Sequence, residues 1–120
     1  MNIEEIKLSV RKFAHDRNWD QYHSPKNLSM ALAGEAGELL EIFQWLTEDQ
    51  SRKENISPED KQLASEELAD IQIYLIRLCD QLDIDLEGAV EQKIKKNAEK
   101  YPVHLAKDNA TKYNRRGDSE

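Results

Sequence analysis

The chain has 120 residues, 34% of them charged and only 7% aromatic, with four glycines and three prolines. That length allows one domain, and the mixture suits helices with solvated faces better than a sandwich or barrel, which needs turn residues and β-branched runs. Seventeen basic residues against twenty-four acidic ones leave a net charge of −7, which argues against a nucleic-acid polymer or an anionic membrane as partner.

The first residues, Met1 to Lys7, lack the apolar stretch of a signal peptide, and no apolar run reaches the roughly 18 residues that a membrane span needs. Cys79 is the single cysteine and lies in an apolar segment, so no intrachain disulfide can form. A cytoplasmic protein is expected. The closest approach to a basic patch, Lys93, Lys95, Lys96 and Lys100, is interrupted by Glu91 and Glu99.

In chain order, Ile3, Ile6, Val10 and Phe13 recur at spacings of three and four and predict an amphipathic helix to about Arg17, with Asn2 as its cap. Trp19 to Lys26 reads as a loop. A second helix starts at Ser24-Pro25 or at Asn27 and runs to about Leu46, with Leu28, Ala31, Leu32, Leu39, Ile42, Phe43 and Leu46 on its apolar face. Thr47 to Ser57 is polar and predicts a loop. Ser57-Pro58-Glu59-Asp60 then opens a third helix, to about Leu82. Its second half, Leu68 to Cys79, is apolar almost all round and is expected to be the buried centre of the fold. After a break at Asp83-Ile84-Asp85, a fourth helix covers Leu86 to about Lys100, and Pro102 lies just beyond it. The polar residues 107–120 are expected to form a mobile tail behind a domain spanning 1–106. These elements predict an all-α, four-helix fold. A chain this short covers long apolar helix faces poorly alone, so an oligomer is expected.

Two short patterns carry chemistry. Glu35 and Glu38, in Gly34-Glu35-Ala36-Gly37-Glu38, lie three apart on the second helix; Glu67 and Asp70, in Glu66-Glu67-Leu68-Ala69-Asp70, lie three apart on the third. That spacing puts each pair on one face, beside leucines and isoleucine, where unpaired carboxylates are costly and repel each other. A divalent cation between facing helices removes both costs. Oxygen-only ligands point to Mg²⁺ or Mn²⁺. Gly34 and Gly37 each cost roughly 1 kcal/mol inside a helix, and small residues there allow close approach of another helix or of a phosphate. Read from the residues alone, the acids are also compatible with surface charges on a non-catalytic helical oligomerisation module. A carboxylate-bridged di-iron site would need Glu-x-x-His pairs, and no Glu here has His three residues on.

Glu35-x-x-Glu38 followed by Glu67-x-x-Asp70 resembles the signature of the all-α, MazG-like NTP pyrophosphohydrolases. Arg17-Asn18-Trp19, Asn27-Leu28, Phe43-Gln44-Trp45, Ile73-Tyr74-Leu75 and Tyr101-Pro102-Val103-His104-Leu105 are similar to the dCTP pyrophosphatase branch of that family. The resemblance runs from about Glu4 to Tyr113. It implies that Glu35, Glu38, Glu67 and Asp70 bind Mg²⁺, and that a nucleoside triphosphate, dCTP or a related dNTP, is split to the monophosphate and pyrophosphate by water attacking the α-phosphorus. Glu38 is the carboxylate assigned to accept the proton of that water. The resemblance further implies contacts from Lys93, Asn97 and Tyr101, four apart on one helix face, and from Tyr74 to the phosphates or sugar. Trp19 and Trp45 would stack on the base. A dimer or dimer of dimers is implied as well. Relatives in that branch carry a histidine near the base where this chain has Val10, which cannot hydrogen-bond; dUTP and modified dNTPs therefore stay open as substrates.

Overall fold

A computed structural model describes residues 1–115. Four long helices form, α1 (Ile3–Asp16), α2 (Pro25–Phe43), α4 (Pro58–Gln81) and α5 (Leu86–Lys100), with one-turn helices α3 (Glu48–Ser51) and α6 (Val103–Ala106) between and after them. No strand occurs among the described residues. Each long helix starts at a side-chain cap that accepts an otherwise unpaired backbone N–H. Asn2 caps α1 through Glu5 N at 2.8 Å, and Ser24 caps α2 through Asn27 N at 3.1 Å, with Pro25 in the first turn. Ser57 caps α4 through Asp60 N at 3.1 Å, and Asp85 caps α5 through Gly88 N at 3.2 Å. Ser24-Pro25, rather than Asn27, is thus the start of the second helix.

Two segments expected to be irregular are partly helical. Thr47 and Gln50 exchange side-chain and backbone hydrogen bonds, 2.9 and 3.1 Å, in a capping box that winds Glu48–Ser51 into a turn. Because Thr47 caps this new helix, α2 stops at Phe43, short of Leu46. A 3₁₀ turn, Asp20–Tyr22, occupies the loop after α1. Of the expected tail, residues 116–120 lie outside the described residues; within the rest, Tyr113–Arg115 form a 3₁₀ turn, and the Tyr113 N–H donates to the Tyr101 hydroxyl at 3.3 Å.

The chain divides into two compact units, the first Met1–Ile84 and the second starting at Asp85. In the first, α4 packs against both α2 and α1, so the third predicted helix is the central one. Its core is small: Ala14, Leu28, Ala64 and Ile76 are buried, together with Arg77. The second half of α4 is not buried all round, as its composition suggested. Leu68 is 53% exposed, and Leu63 and Ile73 are exposed as well. Two packed neighbours cover only part of a helix's circumference, which leaves the remaining apolar stripe of α4 open.

Candidate metal centre

The seam between α2 and α4 brings Glu35 and Glu38 together with Glu67. One carboxylate oxygen from each lies within 4.8 Å of the other two. Oxygens around one small divalent cation sit about 3–4 Å apart, so small side-chain rotations suffice to close the set. The more telling observation is that Glu35 Oε2 and Glu67 Oε2 are buried without any hydrogen-bond partner. A buried carboxylate oxygen with no donor is costly, and two of them at one seam ask for a shared positive charge. The Glu35 carboxyl is accordingly held above the usual carboxylate range. The adjoining Glu67 side chain is the largest cause, desolvation follows, and Asp70 adds repulsion, while Glu38 acts in the opposite sense. The donor set therefore fits a hard divalent cation such as Mg²⁺ or Mn²⁺.

The expected four acids do not contribute equally. Glu38 is exposed, whereas Glu35, Glu67 and Asp70 are half-buried. Asp70 offers no oxygen to the three-residue group; its side chain is one methylene shorter than glutamate's, yet its charge reaches Glu35. A cleft of roughly 430 Å³ adjoins the group and is lined by Glu38, Glu41, Ile42, Asp60, Leu63 and Glu67. Glu41 and Asp60 are acids that the two motifs did not include. Glu41 was findable, three residues beyond Glu38 on the same helix; Asp60 reaches the cleft only because α4 packs on α2.

None of the remaining expected residues of the first unit lines that cleft. Tyr74 is half-buried on α4, one turn beyond Asp70. Trp45, just past α2, is 86% exposed and does not line the cleft. Trp19 packs edge-on against Phe13, with ring centroids 5.6 Å apart, and against His23 at 6.3 Å. Lys93 and Asn97, both exposed, and Tyr101 belong to α5 and its cap in the second unit. Gly34 and Gly37 were expected to admit a close neighbour, but a Cβ at either would meet no atom within 4 Å. Among the described residues, no helix of the first unit makes that approach to α2.

A protein whose described residues are all helix or loop, with a carboxylate cluster across two packed helices, is the class that this fold and site define. Residues 31–115 match the MazG-like family, and the chain belongs to that family. It is 42% identical over 111 residues to dCTP pyrophosphatase 1 of Bos taurus, covering 92% of this chain and 66% of the relative. The Homo sapiens dCTP pyrophosphatase 1 is 41% identical over 111 residues, with 92% and 65% covered. The chain thus spans just under two thirds of the length of these relatives. The crystal structure of a pyrophosphatase from Archaeoglobus fulgidus superposes with a TM-score of 0.76 at 42% identity, covering 82% of this chain and 91% of that one.

Two predictions follow from the site's electrostatics and packing. Because the folded protein holds the Glu35 proton more tightly than the unfolded chain does, the stability this group contributes is complete below its unfolded pKa. It is lost as pH rises through the raised folded value. Metal-free protein should therefore lose thermal stability as pH rises from about 4.5, and Glu35→Gln should flatten that slope. Asp80, held low chiefly by its hydrogen bond from Arg11, acts in the opposite sense and at lower pH, so the windows are separate. An identical slope in the variant would refute the raised Glu35 pKa. Gly37→Ala should stabilise the helix by roughly 1 kcal/mol, since the added methyl meets open space. A fall in melting temperature would instead mean that another molecule covers this face.

Proposed function

We propose that the chain is a Mg²⁺-dependent nucleoside triphosphate pyrophosphohydrolase acting on dCTP or a related dNTP: NTP + H₂O → NMP + pyrophosphate. The observation that carries this reading is the pair of partnerless buried oxygens on Glu35 and Glu67, at the α2–α4 seam of a protein whose family relatives include dCTP pyrophosphatases. The pyrophosphatase named for the similar archaeal structure supports it. Glu35, Glu38, Glu67 and Asp70 would hold Mg²⁺, which when bound neutralises phosphate charge and stabilises the leaving pyrophosphate.

The protein's own groups divide the remaining work. Glu38 is exposed and lines the cleft, and it is the residue proposed to take the proton as water attacks the α-phosphorus. Lys93, Asn97, Tyr101 and Tyr74 are proposed to hold the phosphates or sugar, with the lysine supplying positive charge that an acidic protein otherwise lacks. Trp19 and Trp45 are proposed to stack on the base; both are partly or largely exposed, and stacking is worth roughly 1–3 kcal/mol for any base. Val10, half-buried on α1, has no polar group with which to choose among bases. The proposed discrimination between dCTP and its neighbours is therefore weak.

Assembly completes the proposal. Leu40, Leu63, Leu68, Ile73 and Trp45 are all exposed on or beside α2 and α4, and covering such side chains contributes on the order of 1 kcal/mol each when half of each is buried. A homo-oligomer of four chains, a dimer of dimers, is proposed to cover them.

Incubation with dCTP and Mg²⁺ should release pyrophosphate and dCMP in equal amounts, with no orthophosphate. Glu35→Gln, Glu38→Gln, Glu67→Gln and Asp70→Asn should each lower turnover at least a hundredfold, corresponding to about 2.7 kcal/mol or more, while circular dichroism stays helical. Full activity in any two of them would end the four-ligand reading. Light scattering at micromolar concentration should give four times the mass of the chain; a monomer would contradict the proposed assembly.

A further inference from the structure

On the α1 side of α4 lies a polar network that the cation centre does not use. Arg77, seven residues beyond Asp70, is 3% exposed and is the one buried charged side chain among the described residues. Its Nε donates to His23 Nδ1 at 3.1 Å, Nη1 donates to Asp80 Oδ2 at 3.2 Å, and Nη2 donates to Asp20 Oδ1. Asp20 and His23 bracket the 3₁₀ turn between α1 and α2. Gln81 Nε2 adds a bond to the His23 carbonyl oxygen at 2.8 Å. One turn of α4 therefore grips both ends of this loop.

Trp19 immediately precedes that turn, and α1 fixes it from the other side. Asn18 adopts a left-handed φ of 55°. The Trp19 N–H donates to Ala14 O at 2.8 Å and the Asn18 N–H to His15 O at 3.0 Å, the pair of bonds that closes a Schellman motif. The indole then meets the Phe13 ring, itself covered by the Arg17 guanidinium 3.6 Å from its centroid, on one flank and the His23 ring on another. His23 is the shared member. Its Nδ1 accepts from Arg77, so the ring is the neutral tautomer with its proton on Nε2, and the same ring bounds Trp19.

We propose that Arg77 is a positioning residue for substrate binding, which acts through Asp20 and His23 to hold the Trp19 indole in the orientation that stacks on the nucleobase. This rests on the reading of Trp19 as a base contact. A buried ion network is weak evidence for stability, since apolar side chains of the same volume often serve as well; what this one fixes is geometry. An indole held in place before the ligand arrives loses less side-chain entropy on binding. Because Arg77 stands about 10 Å along the same helix from Asp70, the device also ties the base-contacting loop to the helix that carries two metal ligands.

The test measures dCTP hydrolysis for Arg77→Met, Asp20→Asn, Trp19→Ala and the Trp19→Ala/Arg77→Met double variant. It also records Trp19 emission in a Trp45→Phe background, where Trp19 is the sole tryptophan. Arg77→Met should raise KM about fivefold with kcat within about twofold, red-shift the emission and increase quenching by acrylamide. Asp20→Asn should do the same to a smaller degree, and it decides the matter if Arg77→Met does not fold. In the Trp19→Ala background Arg77→Met should add nothing further. The proposal is overturned if Arg77→Met and Asp20→Asn leave KM and emission unchanged, or if the Arg77→Met effect persists undiminished without Trp19. Should Trp19→Ala itself leave KM unaltered, it is the base-contact reading that fails, and the claim that Arg77 positions a substrate contact falls with it; an emission shift in Arg77→Met would then mark a purely structural hold on the indole.

Discussion

Two carboxylate oxygens, Glu35 Oε2 and Glu67 Oε2, face the α2–α4 seam without a donor, and the arrangement of the first unit follows from the need to offset them. A fold selected for stability alone would place apolar side chains there, as it does a turn or two away at Leu28 and Ala64. Instead, the two helices with the most extensive mutual packing carry acids at their interface, and the Glu35 carboxyl is raised chiefly by its hydrogen bond with Glu67, then by desolvation, with repulsion from Asp70 and Glu67 adding less. A divalent cation held there, as proposed, would offset that repulsion and tie α2 to α4. Glu38 is the exposed member of the group, and there the proposed substrate would approach.

The same helix serves a second purpose along its length. Its middle carries Glu67, Asp70 and Tyr74, and its last turns carry Arg77, Asp80 and Gln81, which hold the loop leaving α1. Asp80 receives two bonds from Arg11, at 3.0 and 2.6 Å, besides its bond from Arg77, so α1 is locked to α4 by charge as well as by apolar contact. Charge-assisted, bidentate bonds of this kind set orientation more strictly than apolar contact does. The rigid frame is accordingly polar at one end and acidic at its centre, with few buried apolar side chains between.

Much of this was readable from local chemistry. Ser24-Pro25, Ser57-Pro58 and Asp85 announce helix starts because a cap and its partner N–H are three residues apart. The carboxylate pairs are readable for the same reason: three residues bring side chains to one face. Thr47-x-x-Gln50 is an equally local signal, but it lies in an eleven-residue stretch whose single apolar residue, Ile56, sets no periodicity. Arg77 was not readable at all. Within Leu68 to Cys79 it is, with Asp70, one of two charges in an otherwise largely apolar run, and its loop partners His23 and Asp20 are 54 and 57 residues away. The open stripe at Leu63, Leu68 and Ile73 was hidden for a different reason. Composition reports how apolar a helix is, not how many neighbours its own chain supplies.

Cation binding in the absence of nucleotide tests the account most directly, because the orphaned oxygens exist before any substrate arrives. Mn²⁺, whose free and bound forms differ in electron paramagnetic resonance amplitude, is a suitable probe, with Mg²⁺ as competitor. The account predicts saturable Mn²⁺ binding that Mg²⁺ displaces and that Glu35→Gln and Glu67→Gln each weaken at least tenfold, about 1.4 kcal/mol. Unchanged Mn²⁺ affinity in both variants would contradict it.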